Sequence, residues 1–192
     1  MSSFLDTLKS IDNTILLFIN GMHSAPADSL MMWISNRFIW IPLYVFLAYV
    51  IVKKFGKNSW LVIIFGALAI AMSDQLASHL VKNLFMRYRP SHNLILGPQL
   101  HIVDNYLGGQ YGFASSHASN TFALSVFIML LMPEKRKLII GLFAWAIVVC
   151  YSRMYLGVHY PSDIVGGAII GFVSAWISYK LWQICSKRLA LS

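Results

Sequence analysis

Residues 60–80 read WLVIIFGALAIAMSDQLASHL. One carboxylate, Asp74, interrupts the run, and it contains no lysine or arginine. A helix crossing a bilayer needs about 20 mostly apolar residues, because hydrocarbon offers no partner for backbone N–H and C=O groups. The stretch predicts a transmembrane helix and, with its neighbours, an all-α membrane bundle. Outward from it, apolar segments recur near Phe38–Val52, Ala118–Met132, Leu138–Tyr151 and Ile164–Ile184. Several are short and are expected to extend into their flanks. Phe4–Met22 is weaker, with an apolar face of Phe4, Leu5, Leu8, Ile11, Ile15, Phe18 and Ile19 opposite a polar one. It reads as a helix lying in the interface in preference to a further span. The expectation is one domain, residues 1–192, with five or six transmembrane helices, residues 1–22 deciding the number.

Composition points the same way. The chain has 192 residues, of which 58% are hydrophobic and 11% charged. A soluble domain carries roughly 25% charged residues. The net charge of +8 reads as basic loops anchoring a membrane protein rather than as a nucleic-acid surface. Cys150 and Cys185 lie far apart in apolar stretches, which gives neither a disulfide framework nor metal-ligand spacing. The N-terminus lacks a basic start, and Asp6, Lys9, Asp12 and Asn13 break up its apolar residues, so no secretory signal is read there.

Basic residues mark the cytoplasmic side of short loops. Lys53, Lys54 and Lys57 follow the first clear span, Lys135, Arg136 and Lys137 follow the third, and Lys187 and Arg188 follow the last. One orientation satisfies all three clusters. It places the loops near Lys82–Phe113 and Ser152–Asp163 together on the outer side. Gly167 and Gly171 in the last span read as helix packing within the bundle in preference to a dimer seam.

Three pieces of polar sequence collect on that outer side. In Lys82–Pro90, seven helical residues would put Lys82 and Arg89 on one face, and Pro90 would end the helix. In Phe113–His117, Ser115 reads as an N-cap whose helix presents amides to an anion, with His117 in the first turn. In Ser152–Asp163, Arg153 is a fork-shaped phosphate donor, and Asp163 lies four residues beyond His159, where a carboxylate can orient an imidazole. Pro161 and Ser162 read as a turn between them. Three cations, two histidines, a carboxylate and a helix N-terminus suit a phosphate dianion.

These residues resemble the motifs of the type 2 phosphatidic acid phosphatases, membrane lipid phosphatases related in their active sites to vanadium haloperoxidases. The family pattern is Lys-x6-Arg-Pro, Pro-Ser-Gly-His and Ser-Arg-x5-His-x3-Asp. The first is complete here as Lys82, Arg89 and Pro90, and the third as Ser152, Arg153, His159 and Asp163. In the middle motif Ser115 and His117 remain, while Ala114 stands for proline and Ser116 for glycine. The motif-bearing region is 82–163. The resemblance implies that His159 is a nucleophile forming a phosphohistidine, that Asp163 orients it, and that His117 is the general acid and then the base for water. It also implies a phosphate clamp of Lys82, Arg89, Arg153, Ser115 and the Ser116 amide. Neither a metal nor a cofactor is implied. The Ala114 change removes a rigid turn residue and is expected to loosen the start of the helix.

Asp74, Ser78 and Lys82 fall on one helical face, where Asp74 reads as a supporting or packing residue; His79 lies in the same span. Arg87, His92, His101 and Asp104 belong to the outer loop with no role assigned. The expected function is metal-independent hydrolysis of a lipid phosphate or diphosphate, at a site facing the periplasm or exterior of a bacterial inner membrane. Undecaprenyl diphosphate ranks first, with phosphatidylglycerol phosphate, phosphatidic acid and lipid A phosphate as the other substrates. A haloperoxidase fits the apolar spans and small size poorly. A non-catalytic lipid-phosphate binding or transport protein is favoured only by the changes at Ala114 and Ser116. The oligomeric state is left open.

Overall fold

A computed structural model describes residues 2–189 of the chain, with side chains from Asp6 onward. In chain order its helices are α1 (Ser2–Asn20), α2 (Ala25–Ser35), α3 (Ile41–Phe55), α4 (Ser59–Gln75), α5 (Lys82–Phe85), α6 (Ser116–Leu131), α7 (Arg136–Tyr155) and α8 (Pro161–Arg188). A π turn, Leu76–Val81, joins α4 to α5. Among the described residues the only β pairing is an isolated bridge between Tyr88 and Tyr111.

The apolar stretch Arg37–Phe85, together with α7 and α8, gives three helical segments long and apolar enough to cross a membrane. The first is broken by a tight turn over Gly56–Asn58. There α3 reverses into α4, so that Ile51, Leu47 and Tyr44 share an apolar cleft with Val62, Gly66 and Ile70. The shorter helix α6 is the centre of the bundle, with Ala118, Ala123, Val126, Phe127 and Ile128 buried. Its main partner is α8. A Cβ on Gly167 would stand 2.9 Å from Ala118 Cβ, and one on Gly171 2.8 Å from the Ala123 nitrogen. Only glycine lets the two backbones come so close, which makes this pair an intramolecular packing seam.

Two of the basic turns share one end of the bundle, since Lys54 Nζ lies 2.5 Å from Glu134 Oε1. The long loop after α5, the start of α6 and the start of α8 meet at the opposite end, tied by a 3.0 Å bond from the Ser115 amide to the Asp163 carbonyl. Helix α1 turns its polar edge inward, burying Asp12, Leu16 and Asn20, and leaves Leu8, Ile11, Ile15 and Phe18 exposed. The side chains of Phe4 and Leu5, assigned above to that apolar face, lie outside the described residues.

Candidate active site

The site is built around a turn. Helix α7 ends at Tyr155, Tyr160 is the N-cap of α8, and Pro161 occupies its first turn, where a missing N–H and a fixed φ carry no cost. Asp163 is therefore the third helical residue. Its Oδ2 accepts from the Tyr160 amide at 3.0 Å and lies 3.3 Å from His159 Nδ1. An acidic side chain here also meets the positive end of the helix. His159 is 1% exposed and Asp163 fully buried. The loop backbone reaches them only because residue 112 is glycine: a Cβ there would stand 2.9 Å from Asp163 Oδ2.

With Nδ1–H directed at the carboxylate, His159 Nε2 keeps its lone pair. That nitrogen accepts from Arg89 Nη1 at 3.2 Å. Burial first, and then the charges of Arg89, Arg153 and Lys82, hold the His159 imidazole well below its ordinary pKa, so it is neutral. Burial, followed by the nearby Arg153, lowers Arg89 to about 10. It therefore remains a cation at neutral pH.

Arg89 is fixed by loop carbonyls, its Nε donating to Tyr111 at 3.2 Å and its Nη1 to Val158 at 3.3 Å. The expected helical spacing between Lys82 and Arg89 is not what joins them. The helix stops at Phe85, Met86 takes the left-handed conformation while its amide still bonds the Lys82 carbonyl, and Arg89 N donates to the Gln110 carbonyl in an extended loop. The loop pairing outcompetes the last turn of helix, and the chain reverses to bring Arg89 back beside Lys82.

Lys82 Nζ donates to Ser116 Oγ at 2.9 Å. That oxygen lies 2.7 Å from Ser78 Oγ, which reaches Asp74 Oδ1 at 3.4 Å. Asn120 donates to the same Asp74 oxygen at 3.0 Å. Asp74 thus touches the site through Ser78 and Ser116. Ser115 is the N-cap of α6, its buried hydroxyl accepting from the Ala118 amide at 3.4 Å. Ala114 is fully buried. His117 lines a cavity of about 180 Å³ with Ser116, Asp74, Asn120, Arg37 and Ser35. The structure therefore brings His159, Asp163, His117, Lys82, Arg89, Arg153, Ser115 and Ser116 to one end of the bundle.

Arg153 is 1% exposed. Its Nη1 bonds Ser35 Oγ and its Nη2 donates to Tyr106 OH at 2.9 Å. Its Nε–H is buried without a hydrogen-bond partner among the described residues. A buried, unmatched donor on a guanidinium is costly unless an acceptor arrives. The position beside neutral His159 suits an anionic oxygen.

Sequence reasoning missed four contributors. Ser35 and Tyr106 hold Arg153 from elements with no motif. Arg87 Nη1 lies 3.1 Å from Asp163 Oδ1, and Arg87 Nη2 lies 2.7 Å from Asp12 Oδ2. Arg87 sits inside the first motif's span, which was the one available signal; Asp12 had none.

Chemically, the arrangement offers a neutral imidazole oriented by a carboxylate, a second histidine, and three cations near the ring, of which Arg89 bonds its unprotonated nitrogen. A family model described as the PAP2 superfamily matches residues 60–187. The chain is 37% identical over 187 residues to a lipid A 4'-phosphatase of Bacteroides thetaiotaomicron, covering 96% of this chain and 83% of that protein. It is 29% identical over 171 residues to an undecaprenyl-diphosphatase of Sulfolobus acidocaldarius, covering 86% and 74%. Aquifex aeolicus LpxE, a solved structure 24% identical in sequence, superposes with a TM-score of 0.69 over 88% of this chain and 95% of that one.

Proposed function

The chain belongs to the PAP2 superfamily and is a membrane lipid phosphatase, and from that premise we propose that its substrate is lipid A, from which it removes the 4'-phosphate through a phosphohistidine on His159. The substrate choice rests on the 37% identical relative named for that reaction. It moves undecaprenyl diphosphate, first in the sequence reading, to second place on the strength of a 29% identical relative. The observation that carries the chemistry is the His159 ring, with Nδ1 on Asp163, Nε2 facing Arg89, and the unmatched Nε–H of Arg153 in the same buried region.

In this mechanism a phosphate oxygen accepts from the Arg153 Nε–H, which Ser35 and Tyr106 hold in place through the other two nitrogens, and the remaining oxygens take bonds from Arg89 and Lys82. Amides at the start of α6 complete the clamp. His159 Nε2 attacks phosphorus, a P–N bond forms, and the P–O bond to the sugar breaks. His117 gives its proton to the departing oxygen. Water, deprotonated by His117, then attacks the phosphohistidine, breaking P–N and releasing inorganic phosphate. The fixed cations balance the charge that builds on the phosphoryl oxygens, and hydrolysis proceeds without a metal.

The site faces the periplasm or exterior of a bacterial inner membrane, since Lys54, Lys135 and their neighbours occupy the other end. The α3–α4 and α6–α7 helix pairs complete the spans, and α1 lies in the interface with its apolar face toward lipid. The cavity beside His117 shares Arg37, Tyr44, Asn120, Thr121 and Trp145 with a mainly apolar space of about 350 Å³ lined also by Phe38, Ile41 and Ile70, which suits an acyl chain arriving from the bilayer. The test is mass spectrometry of bis-phosphorylated lipid A and of undecaprenyl diphosphate after incubation with the purified protein. Loss of the 4'-phosphate at a rate well above diphosphate cleavage is expected. Preferred cleavage of the diphosphate would reverse the assignment.

A further inference from the structure

Arg87 stands at an unspecified position of the first motif, and Asp12 lies outside all three motifs and outside the matched stretch 60–187 altogether. Yet they complete the surroundings of Asp163. One oxygen of that carboxylate, Oδ2, is used by His159 and the Tyr160 amide. The other, Oδ1, accepts from Arg87 Nη1 at 3.1 Å. Arg87 is itself held on three sides: by Asp12 Oδ2 at 2.7 Å, by Ser162 Oγ at 2.6 Å, and by the Tyr160 ring, 4.0 Å beneath the guanidinium carbon. Asp12 also accepts from the Ser162 amide at 2.9 Å and bonds the Ser162 hydroxyl, next in sequence to Asp163.

We propose that Asp12 is a positioning residue for the phosphatase reaction, acting through Arg87 to fix the orientation and charge of Asp163. This rests on the assignment of His159 and Asp163 above. Arg87 lies between two carboxylates, so neither receives its full charge. Without Asp12, the guanidinium turns wholly to Asp163. A fork-shaped donor can then take both carboxylate oxygens, and the oxygen facing His159 is drawn away. The imidazole loses the partner that sets its tautomer and stabilises the positive charge it gains on attack.

Holding α1 in place is the competing role for Asp12. Helix α1 has a second anchor that does this independently. Asn20 donates to the Tyr155 and His101 carbonyls at 2.7 and 2.9 Å and accepts from the His101 amide at 2.8 Å, and Leu16 is fully buried.

The experiment compares kcat and KM for the full chain in detergent as wild type, Asp12→Asn, Asp12→Glu, Asp163→Asn and the Asp12→Asn/Asp163→Asn double variant. Asp12→Asn should lower kcat roughly tenfold or more with KM changed less than about twofold, the pattern of a lost transition-state interaction. Asp12→Glu should recover part of the loss. In the Asp163→Asn background the Asp12 change should cost less than about twofold, because residues acting through one group are not additive. The same multiplicative loss in both backgrounds, or an unchanged kcat in Asp12→Asn, would overturn the proposal. Should Asp12→Asn fail to fold, Arg87→Lys takes its place with the same expected coupling, since an ammonium lacks the fork that spans both carboxylates. Full activity in Asp163→Asn would instead remove the underlying reading of the site, which separates the two failures.

Discussion

His159 Nδ1 lies 3.3 Å from Asp163 Oδ2, and the two residues stand on opposite sides of the N-cap of α8. Their four-residue spacing is therefore set by a helix start and not by a helical turn. Asp163 serves both the helix, through the Tyr160 amide, and the imidazole. Asp163→Asn keeps the size and one acceptor but loses the charge, so it should fold, bind lipid A with nearly unchanged KM, and lose about 10⁴-fold in kcat, as for a tautomer-setting carboxylate elsewhere. His159→Ala should show no turnover. Steady-state kinetics in detergent checks both, and wild-type turnover in His159→Ala would eliminate the proposed nucleophile.

His117 separates substrates by leaving group. A sugar alkoxide leaving from the 4'-position needs a proton, and general acid catalysis supplies typically 10²–10⁴-fold. A polyprenyl monophosphate leaving from a diphosphate is a far weaker base. His117→Ala should therefore reduce kcat for lipid A much more than for undecaprenyl diphosphate. If loss of phosphate from His159 limits the rate, both suffer alike and a burst of first product appears. Equal losses without a burst would reject His117 as the leaving-group acid.

The fold was legible because its cause is local. The run 60–80 and the other apolar segments declare helices one segment at a time, three of the resulting stretches being long and apolar enough to cross a membrane, and the Ser115 cap and the Gly167–Gly171 seam are short-range patterns. The motif residues were legible through their spacing in resemblance to a family. What spacing could not give was the route between them. The left-handed Met86 and the Arg89–Gln110 pairing come from a loop folding back on itself, which no helical count foresees. Asp12 and Arg87 are 75 positions apart, and Ser35 meets Arg153 from 118 positions away. Such contacts are created by tertiary packing and leave no periodic trace.

The neutral state of His159 has a pH consequence. Its folded pKa is depressed by burial and by Arg89, Arg153 and Lys82, so below the ordinary value of 6.5 the unfolded chain binds the proton that the native chain refuses. Stability attributable to this ring is thus full above 6.5 and falls as pH drops below it. Nitrogen chemical shifts of labelled histidine should show His159 taking up its proton at lower pH than a free imidazole does. The acid loss of stability should be smaller in His159→Ala. A His159 signal titrating at 6.5 or above would contradict the electrostatic account.

Orientation is testable without activity. In a background lacking reactive cysteines, a cysteine placed at Gly109 should react with an impermeant reagent in spheroplasts, while one at Lys135 should react only after permeabilisation. The reverse pattern would put the phosphate site in the cytoplasm.

The covalent intermediate is the centre of the account, and slowing its breakdown makes it visible. The His117→Ala variant, lacking the base for water, is incubated with undecaprenyl diphosphate radiolabelled at its terminal phosphate, whose weakly basic leaving group departs without the acid, and quenched in alkali, which preserves a phosphoramidate. Peptide mapping should place an acid-labile phosphoryl group on His159, and the His117→Ala/His159→Ala double variant should carry none. Label on any other residue, or turnover by His117→Ala with His159 unlabelled throughout, would contradict the mechanism.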